Sequence, residues 1–359
     1  MKQRLLSIQV IRALAFILIF LSHAEVIATG PIGVSLFLVI SGFCMTYAYL
    51  DREDKIPRAT LKSGLKFAAG KVRKLYPLHI VTLLAVAAMV FGGLILHKAA
   101  LKEFAEQGAY FVANALLLQS WIPLRDGYFS FNAVSWYLST TAFAYFLFPW
   151  VFRPIQSKKK RSIVILAAVT LGLMAGISVV LGIGQNLFGW SDAFLKWVTY
   201  IFPLYRAGDF IIGLVAGYVF VTLRRQPGKA LSTVAELVLI AVMTVQVILY
   251  VGGLHATNWM LTLFWLPTSV LFVFFFAYGN GILSSLLSKC RPLVWLGNIS
   301  GEAFLIHQIS IKAVEAVSSN KVIVTFGAFA LTLVCTVIWR LIYKKVTAAI
   351  AAKRSGKTA

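Results

Sequence analysis

The sequence predicts an all-α, polytopic integral membrane protein with about ten transmembrane helices. Apolar residues make up 60% of its 359 positions and charged residues only 13%, whereas soluble proteins carry about 25% charged residues. Ten segments are rich enough in apolar residues, and close enough to the 20 or so that a helix needs, to cross a bilayer. They lie within 8–24, 31–50, 75–97, 132–152, 162–184, 197–222, 231–251, 258–278, 293–317 and 321–343.

The basic residues predict how these helices are oriented. Of the 34 lysines and arginines, 25 lie in alternate connections and at the termini, namely in 1–7, 51–74, 153–161, 223–230, 279–292 and 344–359. Because positively charged segments stay on the cytoplasmic side, both termini are expected to be cytoplasmic. This distribution accounts for the net charge of +22 without a nucleic-acid partner. Membrane lipids are the expected partners of the basic segments.

An even number of spans leaves the apolar stretch 111–121 outside the set. As a helix it would cover only ~17 Å, too short for a hydrocarbon core of ~30 Å. We therefore expect a re-entrant or interfacial element on the outer face. Residues 1–345 are predicted to form a single transmembrane domain, and residues 346–359 a basic cytoplasmic tail.

Several classes of site are excluded by missing motifs. The sequence has no Walker loop, no GxGxxG and no HExxH, which argues against ATP-driven transport, a Rossmann cofactor and a zinc protease. Cys44, Cys290 and Cys335 are odd in number and lack metal-ligand spacing, so we interpret them as packing residues. We expect no metal and no bound cofactor.

The first predicted span carries two ionisable residues, Arg12 and His23, separated only by apolar residues and one serine. Ionisable side chains are costly in a bilayer, so each indicates function. Eleven residues bring a helix back to within roughly 20° of the same face, about 16 Å further along. An arginine that holds an anion and a histidine that moves a proton suit group transfer within a membrane. The alternative is that both side chains snorkel from the helix ends.

Five segments in order extend this pattern into a family resemblance. After Arg12 and His23 come GPIGVSLFLVISGFCMTY, KVRKLYPLH, NAVSWYLSTTAFAYFLFPW, FPLYRAGDFIIGLVAG and LVWLGNISGEAFLIHQ. Together they resemble the membrane acyltransferase 3 family, whose members O-acylate carbohydrates and related acceptors in bacteria. The resemblance covers essentially the whole chain, and implies a stand-alone form without an SGNH hydrolase-like domain. It also implies a multi-pass protein of the bacterial cytoplasmic (inner) membrane.

Four positions depart from the family pattern. Thr141 stands where the family usually has a glutamate, and a threonine cannot act as a carboxylate. An arginine pair before the third span is replaced by Lys71 and Lys74, which lack the forked geometry of arginine. Glu302 stands where an aromatic or small polar residue is more usual. Whether Glu302 supplies the missing carboxylate, faces a water-filled cavity or pairs with Lys312 is left open.

The resemblance and the chemistry together assign roles to these residues. Acyl transfer to a hydroxyl needs a base, charge stabilisation and a donor site. His23, Arg12 and Glu302 are the predicted catalytic residues, with His23 as the base or, less favoured, as an acyl carrier. The predicted donor-binding residues, which would hold the phosphates or thioester end of an acyl-CoA, are Arg12, Ser41, Lys71, Arg73 and Lys74. Helix packing is the alternative for Ser41.

Further polar and aromatic residues are predicted to line a substrate cavity. They are Trp136, Thr141, Tyr145, Arg206, Asp209 and His307. Arg206 and Asp209 are three residues apart and can pair on one helix face, so a purely structural ion pair is an equal alternative. His307 is either a cavity residue near His23 or a hydrogen-bonded core histidine.

The sequence as a whole predicts a membrane O-acyltransferase. The expected reaction moves an acyl group, most simply acetyl, from cytoplasmic acetyl-CoA or another acyl-CoA, as co-substrate, to a hydroxyl of a surface or lipid-linked glycan. One alternative is a transporter or flippase for an anionic or glycolipid substrate, in which the buried charges bind cargo. Another is an inactive relative, because Thr141 replaces the expected glutamate.

Overall fold

The computed structural model describes residues 5–223, 226–252 and 258–354, which contain sixteen α-helices and no strand. The helices are α1 (Leu6–His23), α2 (Gly30–Tyr49), α3 (Leu61–Val72), α4 (Tyr76–Leu96), α5 (Leu101–Ala115), α6 (Arg125–Tyr128), α7 (Trp136–Val151), α8 (Arg153–Gln156), α9 (Lys160–Phe188), α10 (Asp192–Lys196), α11 (Pro203–Thr222), α12 (Lys229–Val251), α13 (Leu261–Ala277), α14 (Ile282–Lys289), α15 (Arg291–Glu315) and α16 (Lys321–Arg354). A π-helical segment, Trp197–Ile201, joins α10 to α11. The predicted all-α class is confirmed.

Eight helical segments within the described residues are long and apolar enough to cross a membrane. They are Leu6–His23, Gly30–Tyr49, Tyr76–Leu96, Lys160–Phe188, Asp192–Thr222, Lys229–Val251, Asn258–Ala277 and Lys321–Ala352, and each coincides with a predicted span. The other two predicted spans are α7 and α15. With 16 residues α7 covers about 24 Å. With 25 residues α15 is long enough, but it includes four charged side chains.

The last helix extends beyond the predicted transmembrane domain. α16 continues to Arg354, so residues 346–354 of the predicted basic tail prolong this helix. Residues 355–359 of the tail lie outside the described part of the chain.

α2 is the central helix of the bundle. In its membrane-spanning window 72% of the residues are buried, against 11% in α12, which lies at the periphery. Gly42 of α2 faces the backbone of α11 at Phe210, and Gly213 of α11 faces the carbonyl group of Val39 so closely that a side chain would clash at either glycine. Small residues let membrane helices approach closely in this way. Gly42 is therefore a residue of close helix packing.

The directions of α1, α15 and α16 define the two ends of the bundle. α15 lies parallel to α1, because Arg12 contacts Ser300 and His23 contacts His307. α16 returns antiparallel: Arg340 bonds to the Asn298 carbonyl group near the start of α15. Both ends of the described chain therefore lie at one end of the bundle, here called the Leu6 end. The opposite end is called the His23 end.

The segment 101–131 folds into the bundle as a hairpin. α5 runs back along α4: Phe104 stacks on Phe91 near the end of α4, and the Ala115 carbonyl group accepts a hydrogen bond from Tyr76 Oη at its start, at 2.8 Å. The chain reverses at Leu117, which adopts a left-handed conformation with φ of 57°. The stretch 111–121 therefore runs antiparallel to α4 and reverses direction within the bundle, as a re-entrant element does.

Candidate active site

His23, at the end of α1, and His307, in α15, form a hydrogen-bonded pair. Nδ1 of His23 lies 2.8 Å from Nε2 of His307, and the two rings stack with centroids 5.0 Å apart. His307 is fully buried, whereas His23 is exposed at the His23 end of the bundle. The structure thus brings together two predicted site residues that are 284 positions apart in the sequence.

The surroundings of His307 determine the tautomers of the neutral pair. Nδ1 of His307 lies 2.6 Å from the carbonyl oxygen of Phe304, which can only accept, so this nitrogen is the donor. Nε2 of neutral His307 then carries a lone pair and accepts the hydrogen bond from Nδ1 of His23. Neutral His23 is left with a lone pair on Nε2, the atom that a general base needs.

A cavity of about 310 Å³ lies between α1, α2, the end of α3, α7 and α15. Its non-aliphatic lining includes Arg12, Ser41, Cys44, Lys71, Tyr137, Thr141 and Tyr145. Phe37 and Ala48 both line it and are eleven residues apart on α2, so the cavity follows this helix for about 16 Å. It lies toward the Leu6 end relative to the histidine pair, because Arg12 precedes His23 along α1.

The cavity is suited to an anionic or strongly polar ligand at one end. Arg12 and Lys71 are the charged residues of its lining, and both are cationic. Nε of Arg12 lies 3.4 Å from Ser300 Oγ, and no other hydrogen bond of Arg12 occurs among the described residues. Its remaining N–H groups can therefore bind a ligand. The Lys71 ammonium group lies over the rings of Tyr49 and Phe67, 4.7 and 5.0 Å from their centroids.

Only one of the three predicted basic residues at the end of α3 lines this cavity. Lys71 does, whereas Arg73 lines a separate, largely apolar groove of about 730 Å³ between α3, the hairpin tip and α7. Lys74 forms an ion pair with Glu302 at 3.1 Å. The structure therefore separates residues that the sequence grouped as one donor-binding cluster.

Glu302 lies on a different face of α15 from the cavity. Its side chain is 5% exposed and contacts Lys74, with Arg340 of α16 at 3.9 Å. The structure does not bring Glu302 to the histidine pair or to the cavity lining. Its cationic neighbours are Lys74, between α3 and α4, and Arg340 of α16. The sequence had offered Lys312 as an alternative partner.

Thr141 and Tyr145 both line the cavity, as predicted for residues of this part of α7. Thr141 donates its hydroxyl hydrogen bond to the Tyr137 carbonyl oxygen in the preceding turn, at 2.7 Å. Ser41 likewise bonds within its own helix, to the Phe37 carbonyl oxygen at 2.8 Å. Among the residues that the structure describes, the cavity lining therefore contains hydroxyl and phenol groups but no carboxylate.

Arg206 and Asp209 are fully buried away from the cavity. Their side chains approach to 3.5 Å, Arg206 Nη1 bonds to Thr262 Oγ1, and its Nη2 lies 3.4 Å from Ser35 Oγ. This arrangement joins α11 to α13 and α2. It is the geometry of the structural alternative for this pair, since neither residue lines the cavity.

Three aromatic residues that the sequence did not single out line the cavity, namely Phe37, Tyr137 and Phe304. The predicted cavity residue Trp136 does not line it and is buried against Tyr200, with centroids 5.1 Å apart. Trp136 and Tyr137 are adjacent on α7, so their side chains diverge by about 100°. All three cavity aromatics lie inside the quoted family segments, but nothing in their residue type separates them from ordinary core aromatics.

No group of three or more His, Cys, Asp or Glu side chains within residues 5–223, 226–252 and 258–354 could hold a metal ion. Cys44, Cys290 and Cys335 are free and partly buried. Cys44 faces the cavity.

Comparisons with known proteins support one family. The acyltransferase domain family, acyltransferase 3, matches residues 5–341. The acyltransferase MdmB of Streptomyces mycarofaciens is 26% identical over 219 residues, which cover 56% of this chain and 50% of that protein. This chain thus matches about half the length of the curated relative, and no solved structure matches it. The match of nearly the whole chain confirms the resemblance seen in the sequence: the protein belongs to the acyltransferase 3 family of membrane proteins.

Proposed function

We propose that this acyltransferase moves an acetyl group from cytoplasmic acetyl-CoA to a sugar hydroxyl of a surface or lipid-linked glycan. The observation that carries the proposal is the arrangement along α1. A cationic cavity at Arg12 and a histidine with a free Nε2 lone pair at His23 lie on one helix, in a chain of an acyltransferase family.

The cavity is the proposed donor site. Arg12 and Lys71 offer positive charge to the phosphates or to the thioester end of acetyl-CoA, while the apolar and aromatic walls accept the uncharged arm. The cavity lies toward the Leu6 end, to which the positive-inside distribution assigns the cytoplasm. A cytoplasmic donor would therefore enter at the end of the bundle where it is available.

His23 is the proposed base for the acceptor hydroxyl. Nε2 of His23 takes the hydroxyl proton while the hydroxyl oxygen attacks the thioester carbonyl carbon; the new C–O bond forms and the C–S bond breaks. The proton then passes from the imidazolium group to the CoA thiolate. His307 orients the His23 ring through the 2.8 Å hydrogen bond and stabilises its charge.

The exposure of His23 supports an acceptor that arrives from the His23 end. That end would face away from the cytoplasm, where surface and lipid-linked glycans are exposed. The protein would thus be a multi-pass protein of the bacterial cytoplasmic (inner) membrane with both termini cytoplasmic.

Labelled acetyl-CoA and a panel of lipid-linked glycans, added to the purified protein in lipid nanodiscs, test this function. We expect acceptor-dependent release of CoA and transfer of label to the glycan. His97→Ala is a matched control for His23→Ala, because His97 is an exposed histidine at the end of α4. Movement of glycan across vesicle membranes without CoA release would instead favour the transporter alternative. A protein that shows neither CoA release nor glycan movement would favour the inactive relative.

A further inference from the structure

Three aromatic side chains close the donor cavity on the side of the histidine pair. Phe37 of α2, Tyr137 of α7 and Phe304 of α15 all line the cavity. Their rings contact one another pairwise, with centroids 6.0 Å apart for Phe37 and Tyr137, 6.1 Å for Phe37 and Phe304, and 5.3 Å for Tyr137 and Phe304. Three helices thus contribute one ring each to a closed aromatic layer.

The histidine pair lies directly behind this layer. The Phe304 ring is 5.6 Å from the His307 ring, centroid to centroid, and the Phe304 carbonyl oxygen accepts the hydrogen bond from His307 Nδ1. Phe304 therefore contacts the cavity with its ring and orients the histidine with its backbone. Between the cavity and the imidazole there is a single layer of side chains.

We propose that Phe37, Tyr137 and Phe304 form a partition that selects the acyl group by its length. This inference rests on the proposed function. The polar part of an acyl-CoA would be held near Arg12 and Lys71, so its acyl end would lie against the aromatic rings. A short acyl group fits in front of the layer, whereas each added methylene group must displace a packed ring.

The same layer explains how the acyl group and the base are kept apart until transfer. His23 and the thioester carbonyl carbon can meet only if the Phe304 ring turns aside, because that ring stands between the cavity and the histidine pair. The backbone hydrogen bond to His307 does not depend on the ring. The side chain can therefore be truncated with His307 still oriented.

Phe304→Ala is the variant that tests the partition. We compare kcat/KM for acetyl-, butyryl- and hexanoyl-CoA, since one methylene in a closed apolar pocket changes selectivity by about 10- to 200-fold. Acetyl should be strongly preferred by the parent protein. The ratio of hexanoyl to acetyl should rise at least ~10-fold in the variant, at the lower limit of that range. Phe329→Ala is the matched control, because Phe329 packs on Phe20, 5.1 Å away, and does not line the cavity.

Phe37→Ala and Tyr137→Ala provide the same test if Phe304→Ala fails to fold. A parent protein that transfers acetyl, together with an unchanged chain-length ratio in every folded variant, overturns the partition and leaves the proposed function standing. A parent protein that neither binds nor consumes any acyl-CoA overturns both. A rise in the ratio in a cavity variant, with none in Phe329→Ala, supports the partition.

Discussion

Two groups of ionisable residues lie inside the helix bundle, and they differ in what surrounds them. Arg206 and Asp209 are fully buried, contact each other and lie outside the cavity lining. Arg12 lines a cavity of about 310 Å³, and His23 is exposed at a bundle end. Arg206 and Asp209 form an ion pair inside the protein, whereas Arg12 and His23 keep hydrogen-bonding capacity where a ligand can reach them. In this protein an ionisable residue in a predicted span thus indicates function when a ligand can reach it, through a cavity or at the protein surface.

The largest effect is expected when the buried ion pair of Arg206 and Asp209 is broken. Arg206→Met leaves Asp209 buried without its cation, and breaking a buried ion pair typically costs about 3–5 kcal/mol of folding free energy. Thermal unfolding in detergent should show a large loss of stability. The double variant Arg206→Met, Asp209→Leu should recover most of it, because no unpaired charge remains. A double variant as unstable as the single one would contradict a purely structural pair.

The next largest effect is expected at His23. His23→Ala should lower acetyl transfer by roughly 100-fold or more, the scale of losing a positioned base, in a protein that still folds. Folding should persist because His23 is exposed at the end of α1, with a modest loss of stability because the buried His307 loses its hydrogen-bond partner. Label transfer and unfolding are measured on the same preparation, with His97→Ala as control. Wild-type turnover in folded His23→Ala would remove His23 from the mechanism.

A smaller effect is expected from the cavity cations. Arg12→Ala should raise KM for acetyl-CoA by at least about 10-fold, because a charge-assisted hydrogen bond contributes about 1.5–3 kcal/mol. The salt dependence of KM should weaken as well. Arg73→Ala is the matched control, since Arg73 lines the separate groove. Equal changes in KM in the two variants would place the donor elsewhere.

The smallest effect is expected at Glu302. Glu302→Gln should change transfer by only a few-fold, because its carboxylate pairs with Lys74 and Arg340 and lies outside the cavity lining. Measuring CoA release by Glu302→Gln and by the parent protein side by side tests this expectation. If Glu302→Gln abolishes transfer in a folded protein, Glu302 has taken over the role of the missing carboxylate. Thr141→Glu, which raises transfer if a cavity carboxylate is needed, is the complementary variant.

Local patterns in the sequence predicted the helices and the residues on α1. Apolar run length located the ten helical segments, and the spacing of Arg12 and His23 selected the helix that carries the site. The family segment around His307 led to the prediction of either a cavity residue near His23 or a core histidine, and the structure places His307 against His23 but outside the cavity lining. These predictions depend on one helix or one motif at a time, so sequence alone supports them.

Features that require several helices could not be predicted in the same way. The aromatic layer combines Phe37, Tyr137 and Phe304, which are about 100 and 167 positions apart in sequence and look like ordinary core residues. The separation of Lys71 from Lys74 depends on the exact direction in which α3 ends. Glu302 pairs with Lys74 because α15 turns that face toward the α3–α4 junction.

The hairpin of residues 101–131 has a consequence for the biosynthesis of the protein. Just after it, Asn132 Nδ2 donates one hydrogen bond to Thr82 Oγ1 at 3.1 Å and another to the Leu305 carbonyl oxygen at 2.9 Å. Leu305 follows Asn132 by 173 positions, so the second bond forms only when nearly the whole chain has been synthesised. Until then the buried amide of Asn132 lacks this acceptor, and an unpaired amide N–H is costly to hold in lipid. The hairpin thus completes its insertion late, and ribosome-bound chains that end before α15 should leave it accessible to protease.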